Sequence, residues 1–447
     1  MKSLKVALAT LLLFASQTLF AATGIIPLED YLYGVEKASL KDYLDLKGTE
    51  VNDERSFDEM KKHILEHYQG VLVTNSFLGD SGKIIDCVIT ESQPSLQTEK
   101  MRDHKIAKPP EVMLGSNVKI RIDEQKEDIL APQLGKNKID RFNNLMYCDT
   151  GTIPLTRLML ATLVHYPSLS DFFYKKPPVD KGEEPVPGDD TYTHYWAHAK
   201  QTVNNYGGDS RLNVWKPNAD PGWFSLSQHW YVGGSGSGRQ TVEGGWQVAW
   251  RKYDTTNPHL FIYSTSANYA SGSGCYNLDC AAFVQINNSW VIGGQLGPVS
   301  TMNGTQYIFR MQWQYYEGNW WLFLKGRGAA DPGVEDYYAI GYYPEEHFDG
   351  GQMTHYATKI DYGGEVSSLL GDNKTGEMGS GKFASEGWKR AAYQRTIYYI
   401  DTSHVSHWAN LSKVNNTPSC YTADVHNLTG GTWATYLYFG GEKCPNP

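Results

Sequence analysis

The sequence predicts a mainly β protein, an antiparallel β-sandwich preceded by a smaller α+β region. Three observations carry this expectation. From Thr191 onward, short aromatic and β-branched runs are punctuated by Gly, Asn and Asp, the pattern of many short strands joined by tight turns. Residues 30–70 are instead charged and carry helical periodicity. Between the two textures lies KKPPVDKGEEPVPGDD, residues 175–190, whose Pro, Gly and charge leave almost nothing to bury. A chain of 447 residues also exceeds the usual single-domain size. The expected organisation is a leader over 1–22, an α+β domain over 23–174, a linker over 175–190 and the sandwich over 191–447.

Lys2 and Lys5 give the leader a positive start, Val6 to Phe14 supply most of its apolar run, and Ala21-Ala22 offer small residues for cleavage. The run is too short to predict a membrane span, so the expectation is an exported protein without a stable membrane anchor, secreted, or periplasmic in a Gram-negative host. In the α+β region, Phe57, Met60, Ile64 and Tyr68 recur at helical spacing, and Ser56 with Glu59 resembles a capping box. His63 and His67 stand at i, i+4 on this helix; with no third ligand in view they read as solvated histidines rather than a zinc pair. Residues 83–89 read as a strand, 149–154 as a turn, and 155–173 as a helix-like run.

In the sandwich, strands are predicted at 212–215, 224–232, 282–286, 306–316, 320–324 and 395–400, with turns such as Glu317-Gly318-Asn319 between neighbours. Gly234 to Gly238 reads as a hairpin tip or flexible loop. No strand–helix alternation and no internal repeat of 20–50 residues is present. The 30 Tyr and 13 Trp point to a groove lined with rings, which combine apolar bodies with a polar handle. A net charge of −9 argues against nucleic acid, which needs clustered Lys and Arg.

Several chemistries are disfavoured by what surrounds their motifs. Gly376 to Lys382 nearly matches a phosphate-binding loop, but Phe383 stands where Ser or Thr must hold magnesium. His194 and His198 have i, i+4 spacing without the adjacent Glu of a zinc protease, and no Gly-x-Ser-x-Gly elbow occurs. Six cysteines in an exported chain predict three disulfides, and sequence proximity favours Cys275–Cys280, Cys420–Cys444 and Cys87–Cys148. No obvious thiol nucleophile then remains, and a mechanism run by paired carboxylates and water requires no metal or organic cofactor. Carboxylates are left. Glu243, in Val242-Glu-Gly-Gly-Trp-Gln-Val248, and Glu365, in Tyr362-Gly-Gly-Glu-Val366, both sit beside glycines that let a backbone or substrate approach closely. In a strand Glu243, Gly245 and Gln247 share one face. Taken singly, each Glu is more often an exposed strand or turn residue. Paired carboxylates beside aromatic rings also describe glycosidases, and a non-catalytic wall- or sugar-binding module is a third possibility.

These motifs resemble the neprosin family of glutamic prolyl endopeptidases across nearly the whole exported chain. The resemblance rests on Phe224-Ser-Leu-Ser-Gln228, Val242 to Val248, Gly274-Cys-Tyr-Asn-Leu-Asp-Cys280, Gly297-Pro-Val-Ser300, Gly318-Asn-Trp-Trp-Leu322, Gly363-Gly-Glu-Val366, Met378-Gly-Ser-Gly381 and Tyr438-Phe-Gly-Gly441. In the first half, Ile85-Asp-Cys87, His104-Lys-Ile106 and Gly151-Thr-Ile-Pro154 look like the family's activation peptide. The resemblance implies a secreted zymogen whose own N-terminal domain is an intramolecular inhibitor covering the groove of a β-sandwich peptidase. It places the catalytic carboxylates on Glu243 and Glu365 and the mature disulfides on Cys275–Cys280 and Cys420–Cys444. It implies a peptide or protein substrate, cleavage after proline and action at acid pH. Gly244 departs from it, standing where Ala is expected. Such a pair shares one proton, so that one Glu activates water while the other polarises the scissile carbonyl. Gln228, Gln247 and Tyr276 are candidate oxyanion donors, and Trp246 is a candidate wall for the proline ring. Asn287, Asn303, Asn373, Asn410, Asn415 and Asn427 are glycosylation sequons that matter only in a glycosylating host.

Overall fold

A computed structural model of the chain describes residues 24–112, 127–175, 192–219, 224–326, 337–369, 376–415 and 418–444. The leader over 1–22 and linker residues 176–190 lie outside them.

The N-terminal region runs α1 (Leu28–Lys37), α2 (Glu54–His67), β1 (Val73–Leu78), β2 (Ile84–Ile89), β3 (Glu127–Ile129), β4 (Thr152–Thr156), α3 (Leu160–Leu163) and α4 (Leu169–Phe173). Phe57, Met60 and Ile64 are fully buried on α2, as their spacing predicts. The helix starts earlier than the capping box suggested: Asp53 is the cap, its carboxylate accepting from Ser56 N at 2.9 Å, which places Ser56 inside the first turn. The helix-like run over 155–173 breaks into the end of β4 and two short helices. β1, β2 and β4 form a small antiparallel sheet, stapled by Cys87–Cys148. Beneath it Arg157 makes a fully buried bidentate pair with Asp86, at 2.8 and 2.5 Å.

The second region is mainly antiparallel β. Its elements are β5 (Tyr192–Asn213), β6 (Phe224–Gly233), β7 (Gln240–Ala249), α5 (Trp250–Tyr253), β8 (His259–Thr265), β9 (Gly274–Tyr276), β10 (Val284–Gln285), β11 (Gln306–Tyr316), β12 (Asn319–Lys325), β13 (Tyr338–Pro344), β14 (Ala357–Leu369), β15 (Ala392–Asp401), β16 (Ser406–Trp408), β17 (Ser412–Asn415), β18 (Thr422–His426) and β19 (Tyr436–Gly440). With β3 they form one sixteen-stranded sheet that curls into a sandwich. Its long strand, β5, pairs with β14 through its first part and with β11 and β15 through its second. One layer is thus β14–β6–β7–β8–β9, the other β13–β12–β11 with β15, and β5 belongs to both. The layers meet closely: a Cβ on Gly244 of β7 would lie 3.2 Å from Met311 Sδ and 3.2 Å from Trp313 Nε1 of β11. Gly234–Gly238 is the β6–β7 hairpin tip and Glu317-Gly318 the β11–β12 turn. All three disulfides pair as proximity predicts.

The N-terminal region clasps both layers. His63 Nε2 lies 2.8 Å from Asp279 O, and Gln93 exchanges two hydrogen bonds with the Gln285 backbone, at 3.0 and 2.8 Å. His104 Nε2 lies 2.8 Å from Tyr342 OH, and β3 adds in parallel to β11. The reading of His63 and His67 as solvated is corrected: His67 is buried and burial pushes it down to about 3, while the half-buried His63 is lowered by the same cause. Among the described residues no group of three or more His, Cys, Asp or Glu is placed to hold a metal, and no helix is long and apolar enough to cross a membrane.

Candidate active site

Alternation along five neighbouring strands sets the site. Glu365 of β14 is paired with Trp196 of β5 and Leu226 of β6, and Gly363 with His198 and Gln228. On the other side of β6, Gln228 is paired with Gly245 and Trp230 with Glu243, which is itself opposite Tyr263 of β8. Paired residues point to the same face, so Glu243 and Glu365 lie diagonally across β6 with Gln228 in the row between. That row is kept open by glycine. At Gly363, φ is +148° and a Cβ would come 2.6 Å from Ala197 O, so no other residue fits.

Both carboxylates are fully buried. Glu243 Oε1 accepts from Thr241 Oγ1 at 2.8 Å and from Tyr269 OH at 2.6 Å, while Oε2 accepts from Gln228 Nε2 at 3.2 Å. Glu365 Oε1 lies 2.7 Å from His194 Nδ1. One cation joins the two acids. Lys175 Nζ donates to Glu243 Oε2 at 2.6 Å and to Glu365 Oε2 at 3.4 Å, with its side chain fully buried over the Trp230 and Tyr263 rings. Burial alone would raise Glu365, but the Lys175 charge and the His194 contact outweigh it and hold Glu365 below the usual carboxylate range. Burial would likewise lower Lys175, and the two carboxylates reverse that and hold it high.

The segment before Lys175 follows the same face. Tyr263 OH donates to Phe173 O at 3.3 Å, and Lys252 Nζ donates to Phe172 O at 3.1 Å beneath the Phe172 ring. Burial pushes Lys252 down to about 7 and Asp279 up to about 6.

Of the residues the sequence put forward, Glu243, Glu365 and Gln228 come together. Gln247 and Tyr276 line a cavity beside the dyad with His194 and Phe224, but neither bonds a dyad oxygen; Gln247 Oε1 accepts from Tyr253 OH at 3.4 Å. Trp246 is not a wall of the site. It alternates with Glu243 to the opposite face, is fully buried between the layers, and donates from Nε1 to Asn213 O at 2.9 Å. Three residues were missed, Lys175, Thr241 and Tyr269, and His194, singled out only for its spacing from His198, was given no place beside Glu365. Only Thr241 carried a local signal, sharing the Glu243 face two residues away on one strand.

Residues 221–442 match the Neprosin family model. The chain carries a neprosin-family domain. The neprosin match takes in Glu243, Glu365, Gln228, Thr241 and Tyr269, whereas Lys175 and His194 lie outside it. Among solved structures the chain is similar to scytalido-glutamic peptidase with a peptide-based transition state analog, at 8% identity and a TM-score of 0.28, over 56% of this chain and 100% of that one. It is also similar to SCP-B, a member of the eqolisin family of peptidases in complex with the tripeptide Ala-Ile-His, at 7% identity and a TM-score of 0.27, over 56% and 100%.

Proposed function

We propose that the chain is the exported, latent form of a glutamic-type endopeptidase that hydrolyses peptide bonds after proline at acid pH. The observation that carries this reading is the Lys175 ammonium held between two fully buried carboxylates on the inner strands of a neprosin domain. An ammonium there fills the space in which a water and a scissile carbonyl would meet. The N-terminal domain ending at residue 174, followed by Lys175, acts as the intramolecular inhibitor, and the Pro-rich segment beyond is where maturation cuts.

Once the segment through Lys175 leaves, the acids lose their shared cation. Two carboxylates this close do not both ionise readily, so the pair keeps one proton and titrates as a unit. The ionised member takes a proton from water as its oxygen adds to the scissile carbonyl carbon. The protonated member donates to the carbonyl oxygen. On collapse the carbonyl oxygen returns its proton to one acid, the C–N bond breaks, and the departing nitrogen takes the proton held by the other, which restores the singly protonated dyad. Gln228 Nε2, in the row between the acids, is the donor best placed for the oxyanion. The fully buried rings of Trp230, Phe261 and Tyr263 on the same face offer flat apolar walls suited to proline. Export accords with three disulfides, which persist in oxidising compartments.

The test is an acid-activated digest of a proline-rich protein mapped by mass spectrometry, run beside Glu243→Gln and Glu365→Gln. Cleavage after proline that disappears in both variants is expected. Persistence in either variant refutes the dyad, and cuts at other residues refute the proline preference alone. No cleavage after verified loss of residues through Lys175 overturns the peptidase reading.

A further inference from the structure

Far from the dyad in sequence, the second layer carries a row of three arginines. Arg310 of β11 is paired with Arg211 of β5, and Arg211 with Arg395 of β15, so the three side chains stand abreast on one face. Arg310 Nε donates to Asp209 Oδ1 at 2.7 Å, and Tyr337 OH donates to Asp209 Oδ2 at 2.8 Å. Arg310 is 3% exposed, yet its Nη2 is buried without a hydrogen-bond partner among the described residues. Burial and the two flanking guanidiniums push Arg211 down to about 10. Asp209 bonds Arg310 and Arg395 Nη1 donates to Thr432 O at 2.8 Å, so three guanidiniums in a row face a carbonyl and one carboxylate, an arrangement suited to a further negative charge.

The N-terminal region supplies it. Arg395 Nε donates to Glu127 Oε1 at 2.9 Å, Arg395 Nη2 bonds Glu127 Oε2, and Tyr393 OH also bonds Glu127 Oε1. Around that carboxylate the backbone docks as a strand: Gln306, Tyr307 and Ile308 pair in parallel with Glu127, Asp128 and Ile129, and Leu130 N donates to Ile308 O at 2.8 Å. Two residues beyond Glu127, and so on its face, Ile129 packs on the cluster of Ile308, Tyr393 and Trp433. The contact therefore has the parts of a peptide-recognition site: an open strand end, an arginine fork for a carboxylate and an apolar seat at i+2.

We propose that this is a docking site for extended acidic peptide segments, emptied when the N-terminal region departs and then used to hold substrate polypeptides that carry an acid followed at i+2 by a branched aliphatic residue. It rests on the reading of residues 23–174 as a removable inhibitor. The Glu127 segment is the occupant of the latent form, and an acidic stretch of a substrate is its replacement.

The test uses the full chain with Glu365→Gln to stop turnover and a site-specific protease sequence placed in the 176–190 linker. After cutting, the N-terminal part is removed by gel filtration, and binding of a fluorescent peptide spanning Glu127–Leu134 is followed by anisotropy. Saturable binding is expected, weakened about tenfold or more when the peptide carries Glu127→Gln or the protein carries Arg395→Gln, the loss of one charge-assisted pair. The peptide variant keeps the test independent of any folding defect in the protein. Equal binding of both peptides, no binding, or an N-terminal part that cannot be separated from the cut chain overturns the proposal. Failure of the dyad reading shows itself differently, as absent turnover by the unmutated mature protein with peptide binding unchanged.

Discussion

Lys175→Met removes the cation from the dyad and keeps most of the side-chain volume. The lysine and both glutamates are fully buried, so solvent does not soften the loss. Stripping one partner from a buried ion pair costs about 3–5 kcal/mol, which corresponds to roughly 10²- to 10⁴-fold weaker retention of the N-terminal region. The sign of the pH effect follows from Glu365. Its value in the latent fold lies below the ordinary 4.5, so its contribution to latency is complete above that pH and is lost as pH falls through the depressed value. Lys175 is held above 10.5, so its own contribution is complete throughout the acid and neutral range. The wild-type chain should therefore be latent at neutrality, begin to lose latency as pH falls below the ordinary 4.5, and open as pH falls through the depressed value. In Lys175→Met the largest influence lowering Glu365 is gone and only the His194 contact remains, so the pair relieves its repulsion by taking up a proton at higher pH. The assay is hydrolysis of a fluorogenic proline peptide after a fixed incubation at each pH, with release of the N-terminal region followed on gels. The activation midpoint should move up, with measurable turnover before any cut, while Lys175→Arg stays near wild type. A midpoint and neutral-pH latency that are the same in Lys175→Met and wild type would refute the plug.

Other expectations follow from individual contacts. Tyr269→Phe deletes the 2.6 Å donor to Glu243, and kcat/KM of the mature protein should fall about tenfold or more; an unchanged value would mean that this donor is idle. His194→Gln removes a contact that helps hold Glu365 below the usual carboxylate range; the acid limb of the pH–rate profile should move up with little effect on KM, and a profile superimposable on wild type would leave His194 a packing residue. Asp86→Ala abandons the fully buried Arg157 guanidinium, costing about 3–5 kcal/mol, so thermal melting should show the N-terminal region unfolding at lower temperature. Equal melting temperatures would contradict that cost. Gly244→Ala brings a methyl 3.2–3.3 Å from Met311 and Trp313, and a loss of about 1 kcal/mol in denaturant unfolding is expected; a stabilised variant would show that Met311 yields freely.

How much of this was legible in the sequence follows the distance over which each feature is encoded. The strands of the sandwich, the hairpin tips and the disulfide pairs are local patterns, and they emerge where alternation, glycine and proximity place them. The face of Glu243 was also local: parity alone sends Trp246 to the opposite side, and the aromatic character of Trp246 masked that arithmetic. His194 and Lys175 were hidden because their partner, Glu365, lies 171 and 190 residues away, and only strand register brings them together. Lys175 shares the composition of the solvated linker it begins, yet it also ends the run Phe172-Phe173-Tyr174, and three rings in sequence demand a surface on which to bury. Whole-chain charge hid the rest. A net −9 averages over an acidic pair on one layer and an arginine row on the other. The N-terminal region answers each with the opposite sign, Lys175 to the carboxylates and Glu127 to the guanidiniums. That two-sided complementarity is what lets one polypeptide segment cover both faces of the sandwich. It also means that the anion on the second layer still contributes to retention once the cation at the dyad is loosened, so that Lys175→Met weakens docking of the region without abolishing it.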